Sequence, residues 1–244
     1  MTISAAAAPA ISRARNPRRD HIFYSTVSAA TAIIVFLAFA RTYYLRTYLG
    51  GPELSLLRAV HAAVFSAWML LAVAQPLLIA ARRTAMHRRI GVAAFALAPL
   101  MLVLGATLAV TSAREAHAPP GIDPAGFMLI PLFELVTFAP LVAAGLWFRR
   151  RPETHKRLMV LATISILGAA SARLPRAVAM AGAPFFLVVD VLVLSLVVYD
   201  LLSRRRPHPA TIWGGLFVIA SQPLRLALSG TAAWLAVGHA LVGR

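Results

Sequence analysis

The sequence predicts an all-α protein, a polytopic membrane helix bundle of about seven transmembrane helices with a cytoplasmic N-terminus. Three observations carry this. Of the 244 residues, 60% are hydrophobic and 13% charged, whereas soluble domains carry about 45–50% and about 25%. The charges are clustered, and the apolar runs between clusters are roughly 18–24 residues long, the length that crosses a bilayer core as helix. The clusters also alternate in sign along the chain. Arg-dense links fall near 82–88, 149–157 and 204–208, and the links between them hold Glu53, Glu115 and Asp123. Basic links face the cytoplasm in such proteins, so the N-terminus is placed inside and the C-terminus outside.

Residues 1–20, Ala-rich and then Arg-rich, are expected to form a disordered cytoplasmic tail, with 21–244 a single seven-helix transmembrane domain. Span one covers about 23–45. Ala38-Phe39-Ala40 has the A-x-A form of a signal-peptide cleavage site, but the apolar stretch exceeds the usual ~7–15 residues, which favours an uncleaved span. Span two, about 59–81, bears His61, Trp68, Gln75 and Arg82 at intervals of seven. That spacing keeps them near one helical face, and Pro76 kinks the helix there and frees a carbonyl. Span three (about 89–112) follows a basic turn. Span four (126–148) contains Glu134, span five (157–178) ends near Arg173, and span six (184–203) contains Asp190. Span seven (212–241) contains Gln222 and Arg225.

Ionisable groups at membrane depth are costly and usually face the bundle interior. His61, Gln75, Glu134, Asp190, Gln222 and Arg225 are therefore expected to form a buried polar cluster, with Asp190 approaching Arg225. Structural ion pairs, Asp190 with Arg225 and Glu134 with Arg173, are the plainer account. A metal site built from His61, Glu134 and Asp190 has acceptable ligand types, but no two of them share a helix at ligand spacing.

One pattern stands apart. "RRTAMHRRIGV" (82–92) and "RRPETHKRLMV" (150–160) are nearly the same phrase, each placed before an apolar run, and "RRRPHPATIWGG" from Arg204 is a weaker third copy. Topology anchoring and hairpin duplication explain the arginines. They do not explain His87 and His155 at one offset. Two histidines at equal depth on neighbouring helices are what a bis-histidine haem needs, and Arg88, Arg89, Lys156 and Arg157 could pair with its propionates. Gly91, one turn along from His87, would make room.

Residues 61–105 resemble the central helix pair of the ascorbate-dependent transmembrane cytochromes b. His61, Gln75, His87, Gly91 and Gly105 occupy that family's places. The resemblance implies haem b held between spans three and five by His87 and His155. Its outer haem lacks a partner here, because span four offers Glu134 and no histidine. Across the whole chain, "FARTYYL", "HRRIG", "HKRLM", "ARLP" and "SQPLRLALSGTAAW" resemble an uncharacterised family of bacterial multi-pass proteins. That likeness implies a bacterial cytoplasmic (inner) membrane location and no particular activity.

Composition closes several classes. The formal charge of +16 sits in short blocks between spans and does not make a nucleic-acid face. There is no cysteine, hence no disulfide and no thiolate ligand. Lys156 is the sole lysine and lies in a basic turn, which argues against retinal bound as a Schiff base. No P-loop, HExxH or GxSxG occurs, and no catalytic residue set is legible. Three readings remain. One is a redox protein binding haem b, with quinone as a second candidate cofactor and redox proteins as partners within the lipid bilayer. The second is a proton-coupled carrier using the outer polar cluster. The third is an accessory membrane subunit without chemistry of its own.

Overall fold

The computed structural model describes residues 17–174 and 186–243. Helix α1 (Pro17–Phe39) continues as one π turn, Ala40–Tyr44, and α2 spans Leu56–Ala80. Then come α3 (Thr84–Gly91), α4 (Ala93–Arg114), the short α5 (Pro124–Phe127) and α6 (Leu129–Trp147), which tightens into a 3-10 turn over Phe148–Arg150. Helix α7 is Pro152–Ser165, α8 Gly168–Ser171, α9 Leu187–Arg204, α10 Pro209–Ser229 and α11 Ala232–Val242. No strand occurs among the described residues.

Five of these stretches are long and apolar enough to cross a membrane: Pro17–Tyr44, Leu56–Ala80, Thr84–Arg114, Pro124–Arg150 and Pro209–Ser229. The other expected spans differ, each for a local reason. Span five breaks at Ser165, leaving α7 only 14 residues long, and its expected end at 175–178 lies outside the described residues, as does the expected start of span six at 184–185. Helix α9 has 18 residues, about 27 Å at 1.5 Å per residue, but carries Asp190, Asp200 and Arg204. Span seven is two helices. Helix α10 stops at Gly230, and Thr231 caps α11 by accepting from Trp234 N. Helix α11 then folds back: Trp234 Nε1 donates to Ala125 O at 2.9 Å, and His239 Nε2 meets Asp123 Oδ2 at 2.8 Å. At Gly126 a Cβ would stand 2.9 Å from Ser229 O, so only glycine lets α5 reach the end of α10. The tail also differs from expectation. Residues 1–16 lie outside the described residues, but Pro17–Asp20 is the first turn of α1, and Asp20 is buried.

Proline starts α5, α7 and α10 (Pro124, Pro152, Pro209), where its missing N–H costs nothing and its fixed φ suits the first turn. The core lies where α6, α7 and α10 meet, around Phe138, Leu161, Ile164 and Leu167, all 0% exposed. Helix α7 is therefore a central helix, although its length and polarity disqualify it as a lipid-facing one. Trp147 and Trp213 are strongly exposed at the adjoining ends of α6 and α10, the kind of position that aromatic belts favour.

The bundle has two distinct ends. At the basic end the starts of α1, α7 and α10 meet the end of α9. Arg157 is 1% exposed and its guanidinium grips Asp200, which is 0% exposed, with Nε 3.1 Å from Oδ2. Asp200 Oδ2 also accepts from Thr211 Oγ1 (2.6 Å) and His208 N (2.9 Å). Glu153 Oε2 accepts from both Arg157 and Arg204 at 3.0 Å. Lys156 Nζ joins Glu153 at 2.9 Å and Asp20 at 2.7 Å, and Asp20 accepts from Tyr199. At the opposite end Arg58 pairs with Glu115 and Arg114 donates to Leu241 O at 2.8 Å.

Breaking a buried pair by removing one partner costs about 3–5 kcal/mol, because the other charge stays buried and uncompensated. Asp200→Ala should therefore lower stability by roughly that amount, read as a large fall in Tm of the detergent-solubilised chain. Replacing Arg157 and Asp200 together by apolar residues should restore much of it. Equal losses in the single and double variants would refute the pair's role.

Candidate functional site

Between α1, α2, α3–α4 and α7, at the basic end, lies a cavity of about 910 Å³, a size suited to cofactors and other sizeable ligands. Its walls are largely apolar, with Leu71, Met159 and Val160 among them. Its mouth is polar and includes Arg88, Arg149, Arg150 and Lys156. Trp68 closes the deep end. It is 2% exposed, packs edge-on against Phe138 (5.0 Å between ring centres) and donates from Nε1 to Thr163 Oγ1 at 3.2 Å.

His87 and His155 both line this cavity, their ring centroids 6.3 Å apart and their planes at 89°. His155 Nδ1 donates to Gly145 O at 2.7 Å. His87 Nδ1 lies 3.4 Å from Gln75 O. Neither Nε2 has a hydrogen-bond partner among the described residues. The local reason for the pairing is the hairpin repeat. Each histidine occupies the fourth position of a helix that starts at the basic end, Thr84 in α3 and Pro152 in α7, and each reaches back to a carbonyl of the preceding helix.

Gln75 belongs to this site and stands apart from the outer cluster expected for it. With its carboxamide oxygen accepting from Gly91 N (3.2 Å), its nitrogen donates to His87 O (3.2 Å) and faces His87 Nδ1. Those two backbone groups close the last turn of α3, and a side chain inserted at such a pair is a recognised cause of a helix bend. The break between α3 and α4 falls at the next residue, Val92. Gly91 lines the cavity, and a Cβ there would stand 3.5 Å from the Gln75 carboxamide, an ordinary contact.

Arg157 is the other correction at this end. It does not line the cavity: Asp200 and Glu153 hold its guanidinium behind the cavity wall. The mouth arginines that sequence reasoning passed over, Arg149 and Arg150, do line it. The second repeat held part of the clue, since it opens with Arg150 just before the turn carrying His155.

The outer polar residues pair differently from expectation. Arg225, 2% exposed, binds Glu134 Oε1 at 3.2 Å, with its guanidinium 4.6 Å over the Phe186 ring. Asp190 accepts from Gln222 Nε2 at 2.7 Å. Arg225 and Asp190 thus have separate partners, and Arg173 lies 5.0 Å over the Phe39 ring and donates to Ala169 O. His61 stacks on Phe65 with centroids 4.0 Å apart. Among the described residues no group of three or more His, Cys, Asp or Glu side chains could hold a metal ion, so His61, Glu134 and Asp190 do not form the metal site considered from sequence.

No protein-family model, curated protein or solved structure matches the chain.

At the rim of the basic end, His208 Nδ1 accepts from Ala210 N at 3.0 Å and caps α10. Burial, then Arg157 and Arg204, lower its pKa below the usual 6.5. A depressed histidine pKa stabilises the fold fully above the unfolded value, and that contribution is lost as pH falls from about 6.5 towards the folded pKa. Tm in detergent should accordingly drop on acidification below about pH 6.5. His208→Asn, a cap without that titration, should flatten the drop, and an unchanged profile would show that the cap is not its source.

Proposed function

We propose that this chain is an integral membrane haem b protein for one-electron transfer, whose iron His87 and His155 would hold. The observation that carries the reading is the histidine pair in its cavity. With metal–nitrogen bonds of about 2.0–2.1 Å and an imidazole centroid about 1.1 Å behind its nitrogen, two imidazoles on one iron have centroids roughly 6.3 Å apart. The observed separation is 6.3 Å. Histidines that ligate metals characteristically give the other ring nitrogen to a carbonyl or carboxylate, as His155 does to Gly145 O. The walls are apolar and the mouth basic, which suits a flat apolar macrocycle with carboxylates at one edge.

Haem bound here would supply reversible one-electron chemistry, its potential set by the axial ligands and the burial around them. The chain's own residues do the rest. Gly145 O orients His155, and Gln75 orients His87. Arg88, Arg149, Arg150 and Lys156 offer cations to the carboxylates. Trp68 keeps the interior dry. The outer cluster supports a carrier less well, because Glu134 is paired with Arg225 and Asp190 with Gln222, although Arg225 Nε and His61 Nδ1 are buried without a partner among the described residues.

The same reading places the basic end in the cytoplasm of a bacterial inner membrane, with seven passes: α1, α2, α3–α4, α5–α6, α7–α8, α9 and α10. Reporter fusions at 82–88, 149–151 and 205–207 should all report inside; an outside signal at any of them would overturn this topology.

Purified in detergent and supplied with haem, the protein should show a reduced-minus-oxidised b-type band. His87→Ala and His155→Ala should each abolish the six-coordinate low-spin form while membrane insertion stays intact. A wild-type protein that takes up no haem, or a low-spin band surviving both substitutions, would overturn the assignment.

A further inference from the structure

The two histidines of the cavity are held differently. His155 has one Nδ1 partner, the Gly145 carbonyl at 2.7 Å. A carbonyl only accepts, so Nδ1 carries the proton and Nε2 keeps its lone pair. His87 Nδ1 faces two groups of one residue. The Gln75 backbone carbonyl, at 3.4 Å, calls for a proton on Nδ1. The Gln75 carboxamide calls for the reverse when its oxygen accepts from Gly91 N and its nitrogen donates to His87 O. In that orientation an N–H points at Nδ1, which must accept and leave the proton on Nε2.

The two backbone contacts decide which orientation the amide takes. Turned over, its oxygen would face the His87 carbonyl and its nitrogen the Gly91 N–H, two repulsive contacts in place of two hydrogen bonds, each near 3.2 Å. The backbone carbonyl at 3.4 Å is at the weak end of the hydrogen-bond range.

We propose that Gln75 is a positioning residue that works as a tautomer latch: in the unliganded chain it keeps the His87 proton on Nε2, so that His155 presents a ready lone pair and His87 does not. For His87 to bind a metal centre, its proton must pass to Nδ1 and the Gln75 amide must turn over or yield to the backbone carbonyl. Ligand capture is thereby ordered, His155 first and His87 second. Nothing is oxidised or reduced; one proton changes nitrogen on one ring. The order of capture rests on the haem reading above, whereas the tautomer assignment does not.

Nitrogen-15 NMR of the full chain in detergent, labelled at histidine and free of haem, tests the latch directly. The wild type should show His155 protonated on Nδ1 and His87 on Nε2. Gln75→Glu puts an acceptor carboxylate beside Nδ1 and should move the His87 proton there. Gln75→Met, of similar length and without hydrogen-bonding capacity, should leave His87 a mixture of tautomers. His155 should be unmoved in both, which also verifies the fold. In stopped-flow mixing with hemin, Gln75→Glu should form the six-coordinate low-spin species several-fold faster than wild type, after a five-coordinate phase that His155→Ala removes. Finding the wild-type His87 proton on Nδ1, or equal rates in wild type and Gln75→Glu, would overturn the latch. If hemin does not bind at all, the haem reading falls, and the NMR result alone decides the latch.

Discussion

Arg157 is a guanidinium almost wholly removed from solvent, and the basic end of the bundle is built around keeping it paired. An unpaired buried charge is among the most destabilising features a fold can carry, so the elements around Arg157 have little freedom. Asp200 must come from α9, Glu153 from the preceding turn of α7, and His208 N and Thr211 from the start of α10 to fill the remaining acceptor sites on Asp200. Lys156, one residue earlier, draws in α1 through Asp20. Four helices are registered by one connected set of charges.

That constraint explains how a short, polar helix can occupy the centre of a membrane bundle. Helix α7 could not face lipid: its first two turns carry Glu153, Lys156 and Arg157. Surrounded by α6, α9 and α10, with every one of those charges paired, it becomes a rigid post. His155 stands on that post between Glu153 and Arg157, so the network that holds the helix also fixes the height and direction of the imidazole. The cavity is the space between this post, α1, α2 and the bent α3–α4 span, whose bend coincides with the insertion of Gln75.

The opposite half of the bundle uses the same chemistry more sparingly. Glu134 with Arg225, and Asp190 with Gln222, join α6, α9 and α10 pairwise. These pairs close on themselves, and the guanidinium of Arg225 is further covered by an aromatic ring. At the basic end the charged network borders a large space lined by two imidazoles whose Nε2 atoms lack protein partners. The difference between polar groups paired with one another and groups facing a large cavity separates a structural cluster from a candidate site.

Much of this was legible in the chain itself. Apolar run length and clustered charge determine helices long enough to span a membrane, because a backbone in hydrocarbon must satisfy its own hydrogen bonds. The repeated Arg-Arg-x-x-x-His phrase singled out His87 and His155, since duplicated hairpins place equivalent residues at equal depth. What the chain could not reveal was pairing. Opposite charges on different helices have many possible partners, and choosing among them requires the rotation and tilt of each helix, which packing alone decides. Hence Arg225 meets Glu134 rather than Asp190, Arg157 is taken by Asp200, and Gln75 joins the histidines although it shares a face with His61. The breaks at Ser165 and Gly230 were hidden for a related reason: hydropathy is continuous across them, and the local signal of Gly230 and the Thr231 cap is joined by contacts of α11 with α5 that only the tertiary structure supplies.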